Sequence, residues 1–310
     1  MSPTASPPSG RPRVRITEFE VSDGKAGPYG VAAGPDGALW FTKVHEGSIG
    51  RFPAAGGEAS SYPLPQSDGN PTVIAPGPDG ALWFTEFQGH RIGRVAVDGT
   101  LSSFAPPTPG SGPYGVAAGA DGAMWFTEFH TDRIGRIAPD GEVTEFELPV
   151  TGGFPSALVA GPGGDRMWFT LNQANAVGSI RLDGTGIEIH PLPTPGAGPV
   201  GIAAGADGAV WWVEILAGQI GRIAPDGAIE EFPLPDRAAR PHALVTGADG
   251  ALWFTEWGAG RIGRIALDGS RVDSYDLPSP ASEPHGLTLG PDGALWVALE
   301  IGKLARVELV

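Results

Sequence analysis

The sequence predicts an all-β chain closed into a seven-bladed β-propeller, and three observations carry this. Seven tryptophans (Trp40, Trp83, Trp125, Trp168, Trp211, Trp253 and Trp296) recur every 42 or 43 residues. Near-copies of one phrase surround them, such as GPYGVAAGADGAMWFTE (112–128) and GPVGIAAGADGAVWWVE (198–214). The last copy lacks a closing strand that the N-terminus carries. Repeats of about 40–50 residues with four short strands per unit are the mark of propeller blades.

The elements follow from one unit, residues 112–149. GPYGVAAG reads as a first strand and ADG as a turn, since Asp and Gly supply turn geometry. AMWFTEF is a second strand, RIGRIA a third, PDG a second turn, and EVTEFELP a fourth strand ended by Pro149. Alternation in the last two strands fits half-buried sheet. In the seventh unit KLARVELV (303–310) is the third strand, and RITEFEV (15–21) resembles VTEFELP (143–149). The N-terminal strand is expected to complete the last blade, which removes an exposed edge. Residues 13–310 are expected to form one propeller domain and a monomer. Residues 1–12 are expected to be a disordered leader.

Composition bounds the function. Gly (49) and Pro (32) make about a quarter of the chain and punctuate turns. A net charge of −15 disfavours a nucleic-acid partner, which needs clustered Lys and Arg. With no cysteine, disulfides and thiolate metal sites are excluded. No apolar run approaches membrane-spanning length. MSPTASPPSGRPR has no apolar signal core, so a cytoplasmic location is expected.

A repeat explains what its copies share, so function is sought in the departures. The position after the first-strand proline runs Tyr29, Thr72, Tyr114, Ser156, Val200, His242, His285. The position before it runs Gly27, Asn70, Gly112, Phe154, Gly198, Arg240, Glu283. Four residues after the marker tryptophan stand Val44, Phe87, Phe129, Asn172, Ile215, Trp257 and Glu300. Simple hairpin pairing around Asp292 places Pro284 opposite Glu300; around Asp249 it places Pro241 opposite Trp257. First strands line a propeller's central channel, so these residues gather at one mouth. Blades six, seven and one would offer His242, Trp257, Glu283, His285, Glu300 and Tyr29 to one pocket.

Two carboxylates at close range repel by roughly 1 kcal/mol in water and by about 4 at an effective dielectric of about 20. A cation between them relieves this, and carboxylate oxygens suit Mg²⁺ or Ca²⁺. A neutral His beside it suits a general base, its reference pKa being about 6.5. The remaining histidines, His45, His90, His130 and His190, read as solvated surface residues. The recurring acids Glu86, Glu128, Glu214 and Glu256 read as structural partners of Arg91, Arg133 and Arg261 or of backbone groups.

RPHALVTGADGALWFTEWGAGRIGRI (240–265) followed by EPHGLTLGPDGALWVALEIGKL (283–304) resembles the virginiamycin B lyase (streptogramin B lyase) family. The resemblance runs through roughly residues 13–310. It implies a monomeric seven-bladed propeller that linearises cyclic depsipeptide antibiotics by elimination at the lactone ester. It implies His285 as general base, Glu283 and Glu300 as Mg²⁺ ligands, and His242, Trp257 and Tyr29 as substrate-binding residues. Where the family commonly carries two further residues, Glu300 here runs directly into IGKL. Two alternatives stay open: a metal-dependent lactonase, which would add water, and a non-enzymatic binding propeller. No G-x-S-x-G nucleophile elbow is present.

Overall fold

The computed structural model describes residues 11–310. Seven four-stranded antiparallel sheets follow one another along the chain, each in simple consecutive order except the last. That last blade is built from Pro284–Leu289, Leu295–Leu299 and Lys303–Leu309, with Val14–Glu20 as its outer strand. The N-terminal strand pairs antiparallel with Lys303–Leu309 from Val14↔Leu309 to Glu20↔Lys303, closing the ring as expected. Of the expected leader, residues 1–10 lie outside the described residues. Pro12 is held: its carbonyl accepts a 2.9 Å hydrogen bond from Tyr275 Oη of blade six. No helix among the described residues is long and apolar enough to cross a membrane.

The shared phrase builds the blade by three devices. In six blades the turn aspartate joins two later strands. Asp36 Oδ1 accepts from Trp40 Nε1 at 3.0 Å, and its Oδ2 accepts from Arg51 Nε at 2.7 Å. Asp292, Trp296 and Arg306 repeat this at 3.1 and 2.7 Å. Each indole is thereby satisfied while its ring is buried, as a core tryptophan requires.

The second device is the glycine of RIGR. A Cβ on Gly50 would come within 2.1 Å of the Phe41 ring, and one on Gly93 within 2.1 Å of Phe84. Blade seven carries the smaller Val297 opposite Ala305 instead, so a methyl fits there.

The third device is the threonine of WFTE, which staples neighbouring blades. Thr42 Oγ1 accepts from Gly30 N at 2.8 Å and donates to Thr72 O of the next blade at 2.6 Å. Thr255 accepts from Ala243 N at 3.0 Å and donates to His285 O at 2.9 Å.

These threonines sit where every inner strand bulges, and the bulge corrects the expected register. Pro284 pairs with Leu299, not Glu300, and Pro241 pairs with Glu256, not Trp257. The inner strand carries one extra residue between Pro284 and Leu287, which shifts the pairing by one. Glu300 lies just past its strand, yet its N–H still donates to Glu283 O at 3.3 Å. The two acids therefore remain side by side.

The tight turn after Glu300 is pinned by the closing segment. Val21 N and Ser22 N both donate to Gly302 O, at 3.0 and 3.1 Å.

Candidate functional site

Inner strands from all seven blades line the central channel, among them Pro28–Ala33, Pro241–Thr246 and Pro284–Leu289. At one mouth the strand ends bring the departures from the repeat together. Ligand atoms of Glu283, His285 and Glu300 lie within 4.8 Å of one another. His285 Nε2 stands 2.6 Å from Glu300 Oε2. Its ring stacks on Tyr29, with centroids 4.3 Å apart and 29° between planes. His242 meets the same ring edge-on at 4.9 Å, and Trp257 lies 6.1 Å away. Tyr29 Oη is 3.3 Å from His242 Nε2. The other five residues expected from the sequence thus gather about the imidazole of His285, which is itself 7% exposed.

Two members were not expected. His45, read as a solvated surface residue, is exposed but directs Nε2 to Glu300 Oε1 at 2.6 Å. Glu300 is therefore held between two imidazoles from different blades. Tyr114 reaches across the channel from blade three, its hydroxyl 2.6 Å from that of Tyr29.

The electrostatics follow from these contacts. The His285 hydrogen bond, aided by His45, outweighs burial and holds Glu300 down at about 2, well below the usual carboxylate range. Burial, and then the neighbouring His285, push His242 down to about 3, so it stays neutral. Burial and the Tyr114 hydroxyl raise the Tyr29 phenol well above its ordinary value.

The donor set fits a hard divalent cation. Two carboxylates and an imidazole converge from one strand end and the turn facing it. Nδ1 of His285, Nδ1 of His242 and Nε1 of Trp257 are buried without a partner. Buried polar atoms normally find a partner, and here three without one lie together.

The recurring acids only partly follow expectation. Glu86 pairs with Arg91 at 2.8 Å and Glu256 with Arg261 at 2.6 Å. Glu128 instead accepts from Thr131 Oγ1 at 2.7 Å, while Arg133 turns to Glu147. Glu214 accepts from Trp212 Nε1 at 2.9 Å and from Gln219 Nε2 at 2.6 Å. Burial pushes Glu128 up to about 8 and Glu214 up to about 7.

Comparison with known proteins agrees with this architecture. The profile of the virginiamycin B lyase family matches residues 14–307. A virginiamycin B lyase of Saccharopolyspora erythraea is 62% identical over 85 residues, which is 27% of this chain and 28% of that protein. One of Bordetella pertussis is 51% identical over 60 residues, 19% of this chain and 20% of that protein. These alignments span less than a third of either relative's length. A solved streptogramin B lyase structure superposes with a TM-score of 0.91 at 39% identity, covering 96% of this chain and 98% of that one. A catalytically inactive histidine-to-alanine variant of Staphylococcus aureus virginiamycin B lyase, solved with quinupristin, gives 0.91 at 38% identity, covering 96% and 100%. With seven blades in the same arrangement and a profile match along nearly its whole length, the chain belongs to the virginiamycin B lyase family.

Proposed function

We propose that the protein is a Mg²⁺-dependent carbon–oxygen lyase that linearises streptogramin B lactones by elimination. The observation that carries this reading is the convergence of Glu283, His285 and Glu300 at the channel mouth of a chain in this family. Glu283 and Glu300 would hold the cation. When bound, it supplies the positive charge that both carboxylates and the substrate carbonyl oxygen require.

His285 takes the α-proton of the residue whose side-chain oxygen forms the ester. The C–H electron pair becomes a Cα=Cβ bond, the Cβ–O bond breaks, and the ester leaves as a carboxylate. Tyr29 fixes the plane of the ring by stacking. Neutral His242 and Trp257 line the space beside it without adding charge, and are assigned to substrate contact. No nucleophile is needed. The quinupristin complex of the S. aureus relative supports the substrate class, and its inactivating histidine change shows that a histidine is essential in that relative.

Product mass tests the reading. Incubated with quinupristin and Mg²⁺, the protein is expected to yield a linear product of unchanged mass. A gain of one water would replace this reading by a metal-dependent lactonase. An unreacted lactone would leave a binding propeller.

A further inference from the structure

Across the same mouth, on blades two to four, three phenylalanines form a wall. Phe129 stacks on Phe154 with centroids 4.7 Å apart and 21° between planes. Phe87 meets Phe129 edge-on at 5.6 Å and Tyr114 at 6.0 Å. Each of the three is only part-buried, so ring area stays uncovered.

Phe154 is an unusual residue for its backbone conformation. Its φ is 52°, in the left-handed region that bulky L residues avoid. Blades one, three and five use glycine at the same repeat position, Gly27, Gly112 and Gly198, at φ of 66°, 59° and 65°. There a loop side chain lies over the glycine: a Cβ on Gly112 would meet His130 at 2.6 Å. In blade four the side chain at this position itself projects and packs on Phe129. Among the described residues Phe154 is the only large apolar one with positive φ. Blade seven keeps the same strained conformation for Glu283, at φ 46°. Asn70 and Arg240 hold the position in blades two and six at φ 50°, so four of the seven blades place a side chain there, and only in blade four is it an apolar ring.

We propose that Phe154, with Phe129 and Phe87, is the specificity-determining wall of this site and seats an aromatic side chain of the lactone whose ester lies at His285. The proposal rests on the lactone reading of the site. An unbroken series of ring and hydroxyl contacts joins wall to base. Phe87 touches Tyr114, Tyr114 and Tyr29 share a 2.6 Å hydroxyl contact, and Tyr29 stacks on His285. Tyr114, Tyr29 and His285 lie on inner strands, and the three phenylalanines stand at the strand ends beside them.

Two synthetic cyclic depsipeptide lactones test it. They are identical around the ester and differ by Phe or Ala at one side chain remote from it. Calorimetric titration with Mg²⁺ withheld, so that the lactone is not consumed, is run on the wild type, Phe154→Gly and Phe154→Asn. Both substitutions suit the backbone, since glycine and Asn70 occupy the position in other blades. The wild type is expected to bind the Phe lactone about 10-fold more tightly. The ratio is expected to fall towards unity in both variants, whose thermal midpoints should not drop. Equal affinity of the wild type for both lactones, absence of binding included, overturns the wall, as does an unchanged ratio in folded variants. Product mass is read separately with Mg²⁺ added: a wild type that binds but eliminates neither lactone counts against the lyase reading alone.

Discussion

Replacing His45 by Ala probes the contact that the repeat hides. His45 Nε2 is one of two imidazole nitrogens 2.6 Å from Glu300, and it meets the oxygen that His285 does not. Removing it frees Oε1 to rotate out of the cluster and removes a donor to an ionised group. Hydrogen bonds to charged groups are worth about 1.5–3 kcal/mol when enclosed. Partners that orient metal ligands are worth about 10- to 100-fold in metal affinity. The His45 side chain is 54% exposed while that of Glu300 is 22% exposed, so solvent replaces part of the loss. The lower end applies: Mg²⁺ affinity is expected to fall about 10-fold, or roughly 1.4 kcal/mol. Isothermal titration of Mg²⁺ into metal-free protein reads this directly, without substrate. His45→Gln keeps an N–H donor and should recover most of the affinity. Unchanged affinity in His45→Ala would refute the account of Glu300 as a ligand held from both sides.

Three further outcomes follow from the same contacts. His285→Ala should lower turnover of quinupristin by about 10²–10⁴-fold, the usual contribution of a positioned base; a smaller loss in steady-state kinetics would move the base elsewhere. Thr255→Val leaves Ala243 N and His285 O without their staple, and should cost about 1–3 kcal/mol in urea unfolding. Val213 and Ala298 occupy the equivalent position in blades five and seven, so the variant is expected to fold. Glu128, at about 8 in the fold against 4.5 as a free side chain, keeps a proton that the unfolded chain releases. Unfolding free energy should therefore decline as pH rises from about 4.5 to about 8, and Glu128→Gln should remove its share of that decline. Parallel stability–pH curves for the two proteins would contradict the burial argument.

The sequence made the ring legible because the turn aspartate and the marker tryptophan are one hydrogen-bonded device repeated blade after blade. Glu283, His285 and Glu300 stood out because each breaks a repeat position. His45 did not. Its loop position runs His45, Gln88, His130, Gln173, Leu216, Gly258, Ile301, so a histidine there is no departure. Tyr114 shares its residue type with Tyr29, and the contact that makes it matter spans 85 residues across the channel. No periodic pattern records such a contact. The register slipped by one because the inner-strand bulge is common to every blade, so no copy marks it as unusual. Phe87, Phe129 and Phe154 stand in the same series of departures, but they carry no charged or titratable group, so a search for reactive chemistry passed over them.

Ring closure ties the chemistry to the join between Val14–Glu20 and Lys303–Leu309. The strand that seals blade seven precedes the other blades in the chain, the strand it seals against follows them, and the turn leading into the latter carries Glu300. A growing polypeptide on the ribosome thus holds no assembled reaction centre until residues near 302 emerge and Val14–Glu20 folds back onto the last blade. Nicking the join, or moving the chain's ends to another blade by circular permutation, would separate ring formation from assembly of the cluster.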